Sequence, residues 1–158
     1  MDNFDDVDSC VVLETIFEEE RCKLYVNTIG YKLRNKGMIT IPLAGEIFSN
    51  LFLKISQNID DAVMRKVVIQ NAVDFFDDTM MTLLQKGRLI IAKINDGDYQ
   101  YIPRIKELDY KITDDDALHI STAINKKCQR FITIDKDLLN DRFRGMIKSE
   151  FGLVIAEP

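Results

Sequence analysis

The sequence contains no tryptophan and one histidine, His119, among 158 residues. That excludes a multi-histidine metal site and leaves little room for a Ser/His/Asp triad or a Cys/His pair, so any chemistry rests mainly on carboxylates. The three cysteines, Cys10, Cys22 and Cys128, are odd in number and far apart. They lack the close pairing of a zinc ribbon or a redox motif and read as reduced thiols. With only 3 Pro and 7 Gly, neither a flexible linker nor a disordered tail is expected. No apolar run approaches the roughly 18 residues that span a bilayer. The opening Met1-Asp2-Asn3-Phe4-Asp5-Asp6 is acidic where a secretory signal is basic. A cytoplasmic protein with no membrane partner is expected. Positive charge is also scarce: 21 Lys+Arg stand against 26 Asp+Glu, a formal net charge of −5. That excludes a nucleic-acid binder acting through a broad basic field.

What is present is the material of one regular domain, spanning 1–158, with 46% hydrophobic and 30% charged residues. Apolar residues from Leu13 to Leu33 recur at helical spacing, broken around Glu18-Glu19-Glu20-Arg21, and Asn35-Lys36-Gly37 ends that segment. Met38-Ile39-Thr40-Ile41 reads as a buried strand, with Pro42 opening the next helix. The stretch from about Ile59 to Lys86 predicts two packed helices, and Leu89-Ile90-Ile91-Ala92 a further strand. A short helix over Ile102 to Leu108 is followed by a helix from Asp116 and a strand over Arg130 to Ile134. Asp135-Lys136-Asp137-Leu138-Leu139 predicts the opening of a last helix, before a closing strand at Leu153-Val154-Ile155. Strands alternating with amphipathic helices predict an α/β domain with a mostly parallel sheet and helices on both faces. Its ligand site should lie beyond the carboxyl ends of the strands.

Those positions are acidic. Asp8 lies at a first strand read in Val7-Asp8-Ser9-Cys10-Val11-Val12, Glu46 and Asp116 in the opening turns of helices, and Asp135 at a strand end with Asp137 two residues on. Gathered at one end of a sheet, such carboxylates raise one another's pKa values unless a cation neutralises them. Mg²⁺ or Mn²⁺ suits oxygen donors and supports phosphodiester hydrolysis. Each residue also has a plainer reading. Thr113 with Asp116 matches a capping box, and Glu46 suits a helix dipole. Asp135-Lys136-Asp137 suits a turn, Asp8 a solvated acidic terminus with Asp2, Asp5 and Asp6, and His119 a packed, hydrogen-bonded histidine.

Four blocks together carry a resemblance: Asp8-Ser9-Cys10-Val11-Val12-Leu13-Glu14, Ile41-Pro42-Leu43-Ala44-Gly45-Glu46-Ile47, Asp116-Ala117-Leu118-His119-Ile120-Ser121-Thr122-Ala123 and Phe131-Ile132-Thr133-Ile134-Asp135-Lys136-Asp137-Leu138. In this order, over nearly the whole chain, they resemble the PIN-domain nucleases, especially the VapC-like toxin branch. The last two blocks are the most specific. The resemblance implies a three-layer α/β/α sandwich with a mostly parallel central sheet, and a Mg²⁺- or Mn²⁺-dependent endoribonuclease of single-stranded or loop RNA. It carries the catalytic acids onto Asp8, Glu46, Asp116 and Asp135, the metal ligands onto Asp8, Asp116, Asp135 and, as an auxiliary, Asp137, and a neighbouring hydroxyl onto Thr133. It further implies a homodimer and an antitoxin partner that inserts a segment, often with an arginine, into the acidic pocket. Two departures stand out: few apolar residues precede Asp8, which predicts a shortened or frayed first strand, and the surplus length falls between Ser56 and Tyr101.

Substrate grip is expected from Lys126, Lys127, Arg130, Arg142 and Arg144. Two other readings compete. A non-catalytic PIN-like module that binds RNA or protein would be expected to have lost one of the acids. An aspartyl-phosphate domain wants a nucleophilic Asp on a convincing strand with a later lysine, and no pair is well placed for it.

Overall fold

The acidic start of the chain is the middle of the sheet. In the computed structural model, which describes residues 3–158, Phe4–Val7 forms β1, Lys36–Thr40 β2, Leu89–Ala92 β3, Arg130–Ile132 β4 and Val154–Ala156 β5. The strands make one five-stranded sheet of order β3-β2-β1-β4-β5, parallel at every pairing. The expected frayed first strand is therefore corrected: Phe4, Asp5 and Asp6 pair with Lys36, Gly37 and Met38 on one side, while Asp5, Asp6 and Val7 pair with Arg130, Phe131 and Ile132 on the other. Nor are Asp5 and Asp6 solvated, since both are buried; Asp2 lies outside the described residues. Asp5 is tolerated there because Tyr25 Oη (2.9 Å), Asn35 Nδ2 (2.7 Å) and both ends of the Arg130 guanidinium donate to its carboxylate. The strand stops at Val7, and Ser9-Cys10-Val11-Val12, read from the sequence as part of that strand, instead opens a helix capped by Asp8.

Helices α1 (Ser9–Ile16), α2 (Glu20–Ile29) and α3 (Ile41–Asn58) follow, then α4 (Ala62–Asp74) and α5 (Met81–Gln85). Glu19 caps α2 by accepting from Cys22 N at 2.7 Å, and Thr40 caps α3, whose first turn holds Pro42. The expected pair of packed helices over the middle segment is instead one helical path. A π-helical turn, Phe75–Met80, joins α4 to α5 with Asp74, Phe75 and Met80 all in right-handed helical backbone, because no glycine or proline interrupts this stretch. Gly87, at φ +61°, ends it. A 3₁₀ turn (Asp96–Tyr99), α6 (Ile102–Leu108), α7 (Asp114–Asn125) and α8 (Asp141–Phe151) complete the chain. Asp135–Leu139 does not open α8; Asn140 caps that helix by accepting from Arg142 N and Phe143 N.

Alternation along the strands sends residues to opposite faces. Val7, Ile39, Leu89 and Ile132 pack under α1 to α5, whereas Met38, Phe131 and Ile155 pack under α6, α7 and α8. The result is the α/β/α sandwich expected. Among the described residues no helix is long and apolar enough to cross a membrane.

Candidate active site

The chain order reverses at β1: β2 and β3 build outward on one side, β4 and β5 on the other. The carboxyl ends of β1, β2 and β4 thus flank the point where a ligand site is expected. Asp8 directly follows β1 and caps α1, accepting from Ser9 N at 2.7 Å. Thr133, just past β4, donates its hydroxyl to Asp8 Oδ2 at 2.7 Å and accepts from Asp135 N at 3.0 Å. One buried threonine therefore ties the acid of β1 to the acid of β4. Asp135 in turn accepts from Asp137 N at 2.8 Å, a turn in which Asp137 stays exposed.

Glu46, in the second turn of α3, is held from two sides. Ser9 Oγ donates to Oε2 at 3.1 Å, and His119 Nε2 lies 3.0 Å from Oε1. Asp116 stands at the opening of α7, where its N–H donates to Thr113 Oγ1 (3.1 Å) and its carboxylate accepts from the same hydroxyl (2.6 Å). The cap itself holds the carboxylate in place. Beside Asp116 lies a cleft of about 260 Å³, lined also by Thr113, Asp137, Lys111, Lys136 and Asn140.

The electrostatics link these groups. Burial raises the Asp116 carboxyl above its ordinary value; the Thr113 hydrogen bond opposes this, while the charges of Asp8 and Asp135 add to it. Three acids from three places in the sequence therefore share one field. The His119 hydrogen bond holds Glu46 below the usual carboxylate range. Burial alone would lower His119, but the Glu46 hydrogen bond and charge outweigh it and the imidazole is raised. Among the described residues no three His, Cys, Asp or Glu side chains enclose an ion by themselves. The groups whose charges raise Asp116, Asp8 and Asp135, nevertheless offer only carboxylate oxygens. Such a set fits a hard cation that keeps most of its water, as Mg²⁺ does, and not a soft one.

Of the expected basic grip, three members are paired elsewhere. Arg130 sits at the start of β4, the far end of the sheet, bound to Asp5, and Lys126 pairs with Asp98 at 3.2 Å. Arg144 pairs with Asp141 at 2.5 Å on its own helix. Sequence reasoning missed Ser9 as a partner of Glu46, 37 residues away, because no spacing signals a contact between α1 and α3. It also missed Asp6, whose carboxyl burial pushes up to about 8, with the charge of His119 the largest opposing influence.

No family model matches the chain, and no curated protein matches it. Among solved structures, the chain is similar to one in the VapBC2 complex from Rickettsia felis bound to a DNA fragment from its promoter. The TM-score is 0.59 at 14% identity, covering 98% of each chain. The two share a fold, a parallel α/β sandwich of the PIN-like kind.

Proposed function

We propose that this chain is a Mg²⁺- or Mn²⁺-dependent endoribonuclease of the VapC-like toxin kind, cutting single-stranded or loop RNA. The observation that supports it most is the shared field of Asp8, Asp116 and Asp135 at the switch point of the sheet. In this reading Asp8, Asp116 and Asp135 hold the ion, with Asp137 at the rim as an auxiliary. When bound, the ion supplies positive charge to a phosphoryl oxygen and lowers the pKa of water. Glu46, kept anionic by His119 and aimed by Ser9, orients the attacking water. Lys111 and Lys136, which line the cleft beside Asp116, receive the RNA phosphates in place of Arg130 and Lys126.

The partners follow from the same surfaces. An acidic pocket suits an arginine from an antitoxin, and the structural neighbour is itself a VapBC2 complex. A homodimer is supported by exposed apolar side chains on α3 and α4, among them Phe48, Phe52, Val63, Met64 and Val67. The test is incubation of a single-stranded RNA with Mg²⁺, Mn²⁺ or EDTA, beside the Asp116→Asn protein. Cleavage that survives EDTA, or the substitution, refutes the reading.

A further inference from the structure

Four buried side-chain polar atoms lack a hydrogen-bonding partner among the described residues: both carboxyl oxygens of Asp6, Nδ1 of His119 and Oγ1 of Thr122. They belong to one neighbourhood. Asp6 is in register with Met38 and Phe131, so its side chain points to the face that α6, α7 and α8 cover. His119 and Thr122, one turn apart, lie on the buried side of α7, and Asp6 and His119 each perturb the other. The flanking strand positions are apolar, and a valine at Asp6 would pack without leaving a polar group unpaired. A fully buried, unpartnered carboxyl in a central strand is a standing cost to the fold, of the kind kept where it serves a site.

We propose that Asp6 is a positioning residue: with Thr122 it holds an internal water against Nδ1 of His119, which orients the imidazole to donate its Nε2–H to Glu46. The water accepts from the Thr122 hydroxyl and donates to one oxygen of the Asp6 carboxyl and to Nδ1, the three partners usual for a buried water, and so gives a partner to three of the four orphaned atoms. Nδ1 as acceptor leaves the imidazole proton on Nε2, facing Glu46 Oε1 at 3.0 Å. A chain of contacts then runs from the middle of the sheet to the carboxylate at its edge. A partner that orients a ligand-facing histidine commonly changes activity about 10- to 100-fold when removed. The effect on turnover rests on the nuclease reading above; the effect on His119 does not.

Because His119 is the only histidine in the chain, the imidazole nitrogen signals of ¹⁵N-labelled protein belong to it without ambiguity. At a pH above the raised folded pKa of His119, where the imidazole is neutral, the wild type is expected to show one tautomer, protonated on Nε2. Asp6→Val is expected to give mixed tautomers and a kcat about 10-fold lower on single-stranded RNA, with KM nearly unchanged. Its melting temperature should be equal or higher. Asp6→Asn, which keeps an acceptor, should lie between the two. A wild-type His119 spectrum in Asp6→Val overturns the proposal, as does wild-type kcat, or a kcat loss that simply follows lost stability. If the wild type cuts no RNA with either metal, the nuclease reading fails, and the His119 spectrum alone decides whether Asp6 orients it. Should Asp6→Val not fold, Thr122→Val removes another partner of the same water and must produce the same spectral change.

Discussion

Nε2 of His119 lies 3.0 Å from Oε1 of Glu46, joining α7 on one face of the sheet to α3 on the other across 73 residues of sequence. The pair is a charge-assisted hydrogen bond when Glu46 is ionised and His119 protonated. Glu46 is lowered from 4.5, so its contribution is present above that value and is lost as pH falls through its folded pKa. His119 is raised from 6.5, so its contribution is present below that value and is lost as pH rises through its folded pKa. The destabilisation caused by His119→Gln should therefore peak between these limits, at about 1–3 kcal/mol. Urea unfolding of both proteins on either side of that window and within it checks the shape.

Asp116→Asn should lower kcat/KM on RNA by at least about 100-fold, the scale of losing one group that acts on transition-state charge. Stability should hold or rise, since a partly buried carboxyl near like charges is removed. Mg²⁺ should raise the melting temperature of the wild type and not of the variant. A variant that melts early would point to a capping role alone.

Thr133→Val should cost about 1–3 kcal/mol, because it leaves buried Asp8 without its hydroxyl donor and Asp135 N–H without its acceptor. Activity should fall with it, and Thr133→Ser should restore most of both. The measurement is denaturant unfolding paired with initial rates.

Arg130→Gln should destabilise by roughly 2 kcal/mol, less than a fully buried pair because the guanidinium is partly open and Tyr25 and Asn35 still hold Asp5. RNA affinity should not change, since Arg130 is at the far end of the sheet from the acids. Lys136→Ala should instead raise the RNA Kd and reduce its salt dependence. Binding isotherms at several salt concentrations separate the two.

Phe52→Glu or Val67→Glu should convert a dimer to monomers at micromolar concentration without lowering the melting temperature, because both side chains are exposed in the single chain. Sedimentation velocity reads this directly. A wild type that is monomeric at every concentration would remove the homodimer from the proposal.

Local signals were legible because local chemistry produces them. The Thr113–Asp116 cap, Pro42 in the first turn of α3, Gly87 after α5 and the apolar run of β3 are each settled by residues within a few positions. Asp8, Asp116 and Asp135 were likewise visible as carboxylates at element ends, and Glu46 as one near a helix start. The first strand was misread because its neighbours in sequence are acidic, while what makes it a strand is distant: Arg130, Tyr25 and Asn35 neutralise Asp5, and β2 and β4 pair with it on both sides.

Periodicity, caps and the scarcity of histidine are properties of the string, so an α/β chain of alternating elements, with carboxylates as its candidate functional groups, is legible there. Which carboxylates influence one another, which are neutralised and which are left without a partner is settled in three dimensions. Those outcomes depend on the strand order β3-β2-β1-β4-β5. It places β1 between partners that lie far apart in sequence, and so fixes whether a given acid meets an arginine, as Asp5 does, a threonine shared with another acid, as Asp8 does, or an apolar face, as Asp6 does.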